Sequence, residues 1–272
     1  MTPFSHEREV AIAAARAAGA AVRRWYHGEV EARDKGHDNP VTAADLEANA
    51  LIHARITAAF PADGWLSEET ADSTDRLACG RVWVVDPLDG TKEFIQHIPE
   101  FCVCIALVED GRPAVAVEYN PAADRLYVAT RGGGTTVNGA PARVSGTARV
   151  PDAVVLASRS EDKRGEWDPF KSRVHVELTG SVAFKLAELA TGHGDATFTL
   201  TPKNEWDICA GTLLVEEAGG RVSGLDAGPL VFNQRSPLRP GMIASNGALH
   251  EGLLALIAEI GPGVPRPARR GP

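Results

Sequence analysis

The segment Asp86–Lys92 (DPLDGTK) has the clearest chemistry-bearing pattern in the sequence. Its two aspartates lie three residues apart after the apolar run 82–85, so both carboxylates can face one point at the end of a strand. Converging carboxylates repel one another unless a cation lies between them, and Mg²⁺ prefers such all-oxygen ligands. The amides of Gly90 and Thr91 would then point outward at a helix start, where phosphate oxygens bind well. Taken alone, the segment also fits an acidic turn with an N-cap.

Three further acidic positions could complete such a site. Glu68 lies in WLSEET, Asp207 precedes small residues in EWDICAG, and Asp45 follows Thr42 by three residues. Each has an ordinary alternative, respectively a solvated acidic pair, a helix N-cap and a capping box. All of these pieces together are much less expected by chance, so the combination favours a metal-dependent site.

The elements that must position these residues fall into two parts that meet near Val150. In the first part, hydrophobic spacing predicts helices over 5–27 and 43–60 and strands over 81–86, 101–109, 112–120 and 125–130. In the second part strands and helices alternate, with helices expected over 162–172, 181–191, 207–218 and 247–260. We therefore predict an N-terminal α+β lobe over 1–150 with most metal ligands, and a C-terminal α/β lobe over 151–260 with Asp207 and the substrate pocket. The Pro- and Gly-rich tail 261–272 is predicted to be disordered.

Composition excludes several classes of protein. The chain of 272 residues is 44% hydrophobic and 24% charged, as in an ordinary globular protein. The apolar run 102–108 is far shorter than the roughly 20 residues of a membrane span, and the N-terminus lacks the apolar core of a secretory signal. These features predict a cytoplasmic protein with no membrane partner. The net charge of −8 argues against nucleic acid as a partner but allows a small anionic substrate that metal ions screen.

The motifs together resemble the inositol monophosphatase superfamily of Mg²⁺-dependent, lithium-sensitive phosphatases. The resemblance covers about residues 7–260, and its pieces occur in family order: Asn39–Asp45, Ser67–Glu69, Asp86–Thr91, Trp206-Asp207 with Ala210-Gly211, and Glu217–Gly220. It implies an α/β (α+β) protein built as a layered αβαβα sandwich.

The resemblance also implies the metal ligands. Glu68, Asp86 and the backbone carbonyl of Leu88 would hold one Mg²⁺, and Asp86, Asp89 and Asp207 would hold a second. These assignments come from the family and not from residue spacing.

A third, weaker Mg²⁺ is implied near Glu68 and the loop that contains Lys35 and Asp38. The resemblance further assigns Asp45 and Thr91 to catalysis, as a pair that takes a proton from the attacking water. The cofactor expected is therefore two or three Mg²⁺ ions.

Within the superfamily, the chain is most similar to the 3′(2′),5′-bisphosphate nucleotidases of the bacterial CysQ type. The likeness rests on Asp89–Ile95, Ser158–Ser160, Gly180-Ser181 with Lys185, and Glu205–Asp207. The chain departs from that branch at Asn39, where serine is common, and at Phe198–Leu200, where a Tyr-Pro-Arg-like stretch is expected. The residues implied to bind phosphate or substrate are Gly90, Thr91, Lys92, Ser158, Arg159, Ser181, Lys185 and Glu205.

The activity implied is removal of the 3′-phosphate of adenosine 3′,5′-bisphosphate or its phosphosulfate, a reaction of sulfur assimilation. Arg159 and Lys185 are candidates for a second anionic group, with a surface ion pair and a solvated helix residue as their alternatives. Two other functions stay open: a phosphatase for inositol, sugar or histidinol phosphates, and a catalytically inactive binding protein of the same fold. The resemblance suggests a homodimer.

Overall fold

The computed structural model describes residues 3–26, 28, 32–34 and 40–261. The predicted disordered tail, apart from Gly261, and the loop residues Lys35 and Asp38 lie outside the described residues. The α-helices of the described part are α1 Ser5–Tyr26, α2 Ala43–Ala59, α3 Thr91–Ile95, α4 Arg159–Lys163, α5 Val182–Leu189, α6 Glu205–Glu217 and α7 His250–Ile260. Two 3₁₀ helices cover Thr74–Ala78 and Val150–Asp152.

Two large sheets form the framework. A seven-stranded sheet has the order β3-β4-β5-β6-β7-β8-β9, and a five-stranded sheet has the order β11-β10-β12-β16-β14. Two strand pairs, β1–β2 and β13–β15, complete the strands of the described part. The bounds are β1 Ala32–Asp34, β2 Pro40–Thr42, β3 Gly64–Ser67, β4 Arg81–Asp89, β5 Cys102–Glu109, β6 Arg112–Asn120, β7 Arg125–Thr130, β8 Gly134–Val137, β9 Ala140–Ala142, β10 Val154–Ala157, β11 His175–Leu178, β12 Ala196–Thr199, β13 Lys203–Asn204, β14 Arg221–Ser223, β15 Leu238–Arg239 and β16 Met242–Ser245.

The helices and sheets alternate in five layers. Helices α1 and α2 bury their apolar sides against one face of the seven-stranded sheet. The other face packs on α5 and α6, and these helices also contact the five-stranded sheet, α5 at β12 and α6 at β14 and β16. Helix α7 and the segment 167–174 cover the outer face of that second sheet. This arrangement confirms the predicted αβαβα sandwich, with α5 and α6 as its central layer.

Local sequence accounts for the helices that border the site. Thr42 caps α2, because its side chain accepts a hydrogen bond from the Ala44 amide at 3.2 Å while the carboxylate of Asp45 returns to the Thr42 amide. The helix ends at Phe60, directly before Pro61. Helix α6 begins in the same way, with Asn204 and Asp207 as its capping box. Asp45 and Asp207 are therefore fixed at the third position of their helices.

Two expected elements differ from the structure. The predicted strand 81–86 continues to Asp89, because the chain stays paired with β5 beyond Asp86. The predicted helix 162–172 is replaced by the short α4 and a series of turns, with Gly165 in the left-handed region at φ +76° directly after it. The division into two lobes near Val150 coincides with the second 3₁₀ helix and stays a prediction.

The cysteines behave as small core residues. All four are free thiols, and Cys102, Cys104 and Cys209 are buried.

Among the described residues, no helix is both long enough and apolar enough to cross a bilayer.

Candidate active site

A bulge at the end of β4 brings Asp86 and Asp89 to one face of the seven-stranded sheet. Residues three apart on a regular strand point to opposite faces. Here Asp86 pairs with Cys104 and Asp89 pairs with Cys102, so one extra residue of β4 is accommodated between the two pairs. Because Cys102 and Cys104 are two apart on β5, their partners share a face. The two carboxylates converge for this reason.

Helix α6 adds the third carboxylate to this acidic cluster. Asp86, Asp89 and Asp207 each offer one carboxylate oxygen, and these oxygens all lie within 4.8 Å of one another. Asp207 Oδ2 accepts a hydrogen bond from the Asn204 amide at 2.9 Å, which fixes the carboxylate at the helix start. The structure thus brings together three of the predicted metal ligands from two distant parts of the chain.

The two strand carboxylates of the cluster differ in their hydrogen bonds. Asp86 Oδ1 accepts from the Leu88 amide at 2.9 Å, whereas Asp86 Oδ2 is buried without a hydrogen-bond partner among the described residues. Asp89 Oδ2 accepts from the hydroxyl of Ser181 and from the Ala183 amide, the latter at 2.7 Å. A buried carboxylate oxygen without a partner is costly unless a cation or water pairs with it.

Burial raises the pKa of all three carboxyl groups. For Asp86, desolvation is the largest cause, followed by the negative charges of Glu68, Asp89 and Asp207. Desolvation also dominates for Asp89 and Asp207, and Glu68 raises the pKa of both. The cluster is thus electrostatically unfavourable by itself. Its all-oxygen donors and the unpaired Asp86 Oδ2 fit a hard divalent cation such as Mg²⁺.

Two other predicted metal ligands lie beside the cluster. Glu68 is half-buried just after β3, and its charge acts on all three aspartates, although its carboxylate is not part of the 4.8 Å group. The Leu88 carbonyl, within the bulge, accepts from the Thr91 hydroxyl at 3.1 Å. From these positions the Glu68 carboxylate and the Leu88 carbonyl could also contribute oxygen atoms to a cation that the cluster held.

Asp45 and Thr91 form a hydrogen-bonded pair at the edge of the cluster. The Thr91 hydroxyl donates to Asp45 Oδ1 at 3.1 Å, and Asp45 Oδ2 accepts from the amide and hydroxyl of Thr42 at 2.8 and 2.5 Å. Burial raises the pKa of Asp45 to about 6, with Glu69 adding repulsion, while the Thr42 and Thr91 hydrogen bonds oppose the shift. The buried carboxylate is fixed in orientation and can accept a proton near neutral pH.

Gly90 lies where the two halves of the chain touch. It precedes α3 with φ +96°, a conformation that favours glycine. A Cβ atom there would lie 2.8 Å from the carbonyl oxygen of Glu100 and 2.9 Å from Ser181 Cβ. Gly90 therefore lies next to Ser181, and the other predicted phosphate-binding residues of this segment, Thr91 and half-buried Lys92, follow it at the start of α3.

Ser181 is held between the cluster and helix α5. It has φ +51°, which is strained for a residue with a side chain. Its hydroxyl donates to Asp89 and accepts from the Phe184 amide at 2.9 Å. The hydroxyl therefore orients Asp89, in addition to the substrate contact predicted for it.

Lys185 is buried, so the solvated-residue alternative for it is wrong. Only 4% of its surface is exposed. Burial lowers its pKa to about 8; the carboxylates of Glu161 and Asp89 oppose this shift, whereas the ammonium of Lys203 adds to it. Lys203 lies 3.3 Å from Glu161 Oε1. Two ammonium groups are thus placed close to the acidic cluster.

Arg159 forms an ion pair, which was the alternative to its expected role in binding a second anionic group. Its Nη2 donates to Glu100 Oε1 at 2.8 Å, and Nη1 donates to the other carboxylate oxygen. Glu100 also accepts from the Gly180 amide, so the pair links α4 to the start of α5. Ser158 Oγ lies 2.9 Å from Ser160 Oγ. Any anion that binds Arg159 would have to compete with the Glu100 carboxylate for the guanidinium.

Glu205 does not present its carboxylate to a substrate, which corrects its expected role. The residue is fully buried. Its two oxygens accept from the backbone amides of Asn233 and Gln234 at 2.6 and 3.0 Å. Motif likeness placed it in the pocket because it adjoins Trp206-Asp207, but the side chain points to a different loop.

No separate sequence signal marked Glu100, Glu161 or Lys203 as part of the site. Each acts through a partner far away in the chain, although the position of Lys203 shortly before Asp207 was a usable hint. A cavity of about 270 Å³ lies elsewhere, lined by residues 79–80, 108, 110–111 and 231–234. It contains no residue of the acidic cluster, so converging carboxylates, and not cavity size, mark the site.

Comparison with known proteins identifies the family of the chain. The model of the inositol monophosphatase family matches residues 5–261. The chain belongs to the inositol monophosphatase family. Members of this family are metal-dependent phosphatases, generally dependent on Mg²⁺, that act on small phosphorylated substrates.

Individual relatives cover most of the chain. An inositol-1-monophosphatase of Mesorhizobium japonicum is 36% identical over 259 residues, which cover 91% of this chain and 94% of the relative. Nus factor SuhB of Escherichia coli is 38% identical over 232 residues, or 80% and 85% of the two chains.

Solved structures show the same fold. The extragenic suppressor protein suhB from Bartonella henselae matches with a TM-score of 0.80 and 31% identity, over 92% of this chain and 98% of that chain. An inositol monophosphatase from Anabaena (Nostoc) matches with a TM-score of 0.80 and 29% identity, over 97% and 98%. These family members confirm the resemblance found in the motifs.

Proposed function

We propose that this family member is a Mg²⁺-dependent phosphomonoesterase that uses water as its nucleophile. The observation that carries the proposal is the convergence of Asp86, Asp89 and Asp207, with a buried carboxylate oxygen of Asp86 that has no hydrogen-bond partner in the described part of the chain. Such a cluster needs a cation, and a phosphate ester needs positive charge to offset its own. We propose Asp86, Asp89, Asp207, Glu68 and the Leu88 carbonyl as the ligands of two or three ions.

The Asp45–Thr91 pair supplies the proton chemistry in this proposal. Mg²⁺, when bound, offsets the charge of the phosphate and makes water a better acid. Asp45, fixed by Thr42, polarises the Thr91 hydroxyl. That hydroxyl orients the attacking water, passes its own proton to Asp45 Oδ1 and receives the proton of the water. Gly90 and Lys92 contact the phosphate from the start of α3.

The substrate that we propose is adenosine 3′,5′-bisphosphate, cleaved at its 3′-phosphate. Motif likeness supports this choice. The ammonium groups of Lys185, whose charge acts on Asp89, and of Lys203, whose charge acts on Asp207, also suit a second phosphate. Inositol 1-phosphate is the second candidate, because a relative that is 36% identical is an inositol-1-monophosphatase. A role in sulfur assimilation and a homodimer remain proposals that follow from the motif likeness, and a cytoplasmic location remains a proposal that follows from composition.

Phosphate release measured side by side distinguishes these substrates. The panel is adenosine 3′,5′-bisphosphate, inositol 1-phosphate, fructose 1,6-bisphosphate and histidinol phosphate, each with Mg²⁺ and with a chelator. We expect the highest kcat/KM for the nucleotide, no release with the chelator, and inhibition by millimolar Li⁺. A preference for inositol 1-phosphate would replace our substrate. Mg²⁺ binding without release from any substrate would favour an inactive binding protein.

A lysine variant sharpens the test. Lys185→Gln removes a buried ammonium, so we expect a higher KM for the bisphosphate and little change for inositol 1-phosphate. Lys171→Gln is the matched control, because Lys171 is 46% exposed and pairs with Asp162 and Asp168. Equal effects of Lys185→Gln on both substrates would argue against a second phosphate at this position.

A further inference from the structure

Arg76 is an internal arginine that two distant parts of the chain share. It lies on the 3₁₀ helix Thr74–Ala78, and its side chain is 1% exposed. Nε and Nη2 donate to the two carboxylate oxygens of Asp72 at 2.7 and 2.9 Å. Nη1 donates to Asn233 Oδ1 at 2.6 Å, and Nη2 donates to the Gln234 carbonyl at 3.0 Å. The planar guanidinium therefore clamps the loop 233–234 onto the segment that follows β3.

Glu205 holds the other side of the same loop. Its carboxylate accepts from the amides of Asn233 and Gln234, and Arg239 lies 3.7 Å from it. The Glu205 amide in turn donates to the Pro237 carbonyl at 2.8 Å. Arg76 and Glu205 therefore each face an opposite charge, on Asp72 and Arg239 respectively, while Arg239 Nε has no hydrogen-bond partner among the described residues.

The network ends next to the acidic cluster. Helix α6 begins at Glu205, and Asp207 is its third residue. Loop 233–234 thus connects the start of α6 to the 3₁₀ helix after β3, which borders the seven-stranded sheet. We propose that Arg76 and Glu205 are positioning residues that hold Asp207 at the correct distance from the two sheet carboxylates and thereby set the affinity for Mg²⁺. This inference rests on the proposed function.

Asn233→Gly is the most direct test. Asn233 has φ +57°, so glycine keeps the backbone conformation while it removes the side-chain amide that pairs with Arg76. We expect Mg²⁺ binding, measured by calorimetry, to weaken by about tenfold, as for other residues that orient metal ligands. The Mg²⁺ concentration for half-maximal phosphate release should rise by the same factor, while kcat at saturating Mg²⁺ stays within about twofold. Arg76→Gln should act in the same direction.

A second arginine provides the matched control. Arg81 bridges Glu7 and Asp63 at 2.9 and 3.1 Å, at the opposite end of β4 from the cluster. Arg81→Gln should lower the melting temperature without changing Mg²⁺ affinity. If Asn233→Gly and Arg81→Gln both leave the affinity at the wild-type value, the network is only structural. If the wild-type protein binds no Mg²⁺, both the proposed function and this inference are wrong. Should Arg76→Gln not fold, Asn233→Gly alone decides.

Discussion

The Thr91 hydroxyl lies 3.1 Å from Asp45 Oδ1 and joins a residue of α3 to a residue of α2. The same hydroxyl is 3.1 Å from the Leu88 carbonyl, so its single proton can be donated to only one of the two acceptors at a time. Donation to Asp45 leaves the oxygen lone pairs available to a water. This relationship makes the side chain of Thr91 a sensitive place to test the proposed proton transfer.

Thr91→Val should lower kcat by about 100-fold, because proton transfer by a positioned group contributes at least that factor. Thr91→Ser, the matched control, keeps the hydroxyl and should retain most activity. The measurement is steady-state phosphate release at saturating Mg²⁺. A Thr91→Val enzyme with near-normal kcat would show that the hydroxyl takes no part in the reaction.

The pH profile should report the ionisation of Asp45. Burial raises the pKa of this carboxyl group to about 6. Asp45 can accept a proton only when ionised, so kcat/KM should rise with pH through an acid limb near 6 and flatten above it. The residual activity of Asp45→Asn should lack this limb. Retention of the same limb in that variant would assign it to another group.

Asp89→Asn should separate metal binding from folding. The substitution removes one charge from the cluster while an amide oxygen can still accept from Ser181 and Ala183. We expect a loss in kcat of at least about 100-fold, or about 2.7 kcal/mol, and an unchanged or higher melting temperature without metal. Asp152→Asn, a change at a side chain that is 55% exposed, is the control. Near-normal activity of Asp89→Asn in Mg²⁺ would contradict the ligand assignment.

Stabilisation by Mg²⁺ should grow with pH. In the metal-free protein, burial raises the pKa of Asp86, Asp89 and Asp207, so the fold retains protons that the unfolded chain releases near pH 4. The corresponding stability is present below about pH 4 and is lost as pH rises through the raised folded pKa. Mg²⁺ binds the ionised cluster and offsets this loss. Urea unfolding with Mg²⁺ and with a chelator, between about pH 5 and 8, measures the difference. A difference that is constant with pH would contradict the prediction.

Glu118 should behave as a buried neutral acid. It is fully buried on β6, and neither carboxylate oxygen has a hydrogen-bond partner among the described residues. Burial, with the charge of Asp89 adding, raises its pKa well above the usual range. The stability that protonated Glu118 provides is therefore lost as pH rises from the pKa of this group in the unfolded chain towards its raised pKa in the fold. Glu118→Leu should raise the free energy of unfolding near neutral pH by about 1–3 kcal/mol, measured by urea unfolding. A destabilised variant would show that the carboxyl group has a partner.

Much of the acidic cluster could be predicted from sequence, because its residues occur in short motifs at element ends. Asp45 occupies the capping box that local spacing predicts, whereas Asp207, expected as an N-cap, is the third residue of α6 and Asn204 is the cap. The bulge after Asp86 was not predictable in the same way. Whether Asp86–Asp89 leaves the strand or stays paired depends on β5, and a local pattern contains no information about that partner.

The surroundings of the cluster were harder to predict, because their contacts join distant parts of the chain. Arg159 pairs with Glu100, and Glu205 receives the amides of Asn233 and Gln234. A charged residue in a motif looks available until its long-range partner is known. Burial is equally non-local, which is why Lys185 could be taken for a solvated helix residue.

The absence of a side chain at Gly90 has a mechanical consequence. The side chain of any larger residue there would collide with the Glu100 carbonyl oxygen and with Ser181. Such a residue would therefore push apart the two halves of the chain. Both halves supply carboxylates to the same cluster. A slight separation of the two halves at Gly90 would therefore widen the spacing of the three carboxylates that we propose as Mg²⁺ ligands.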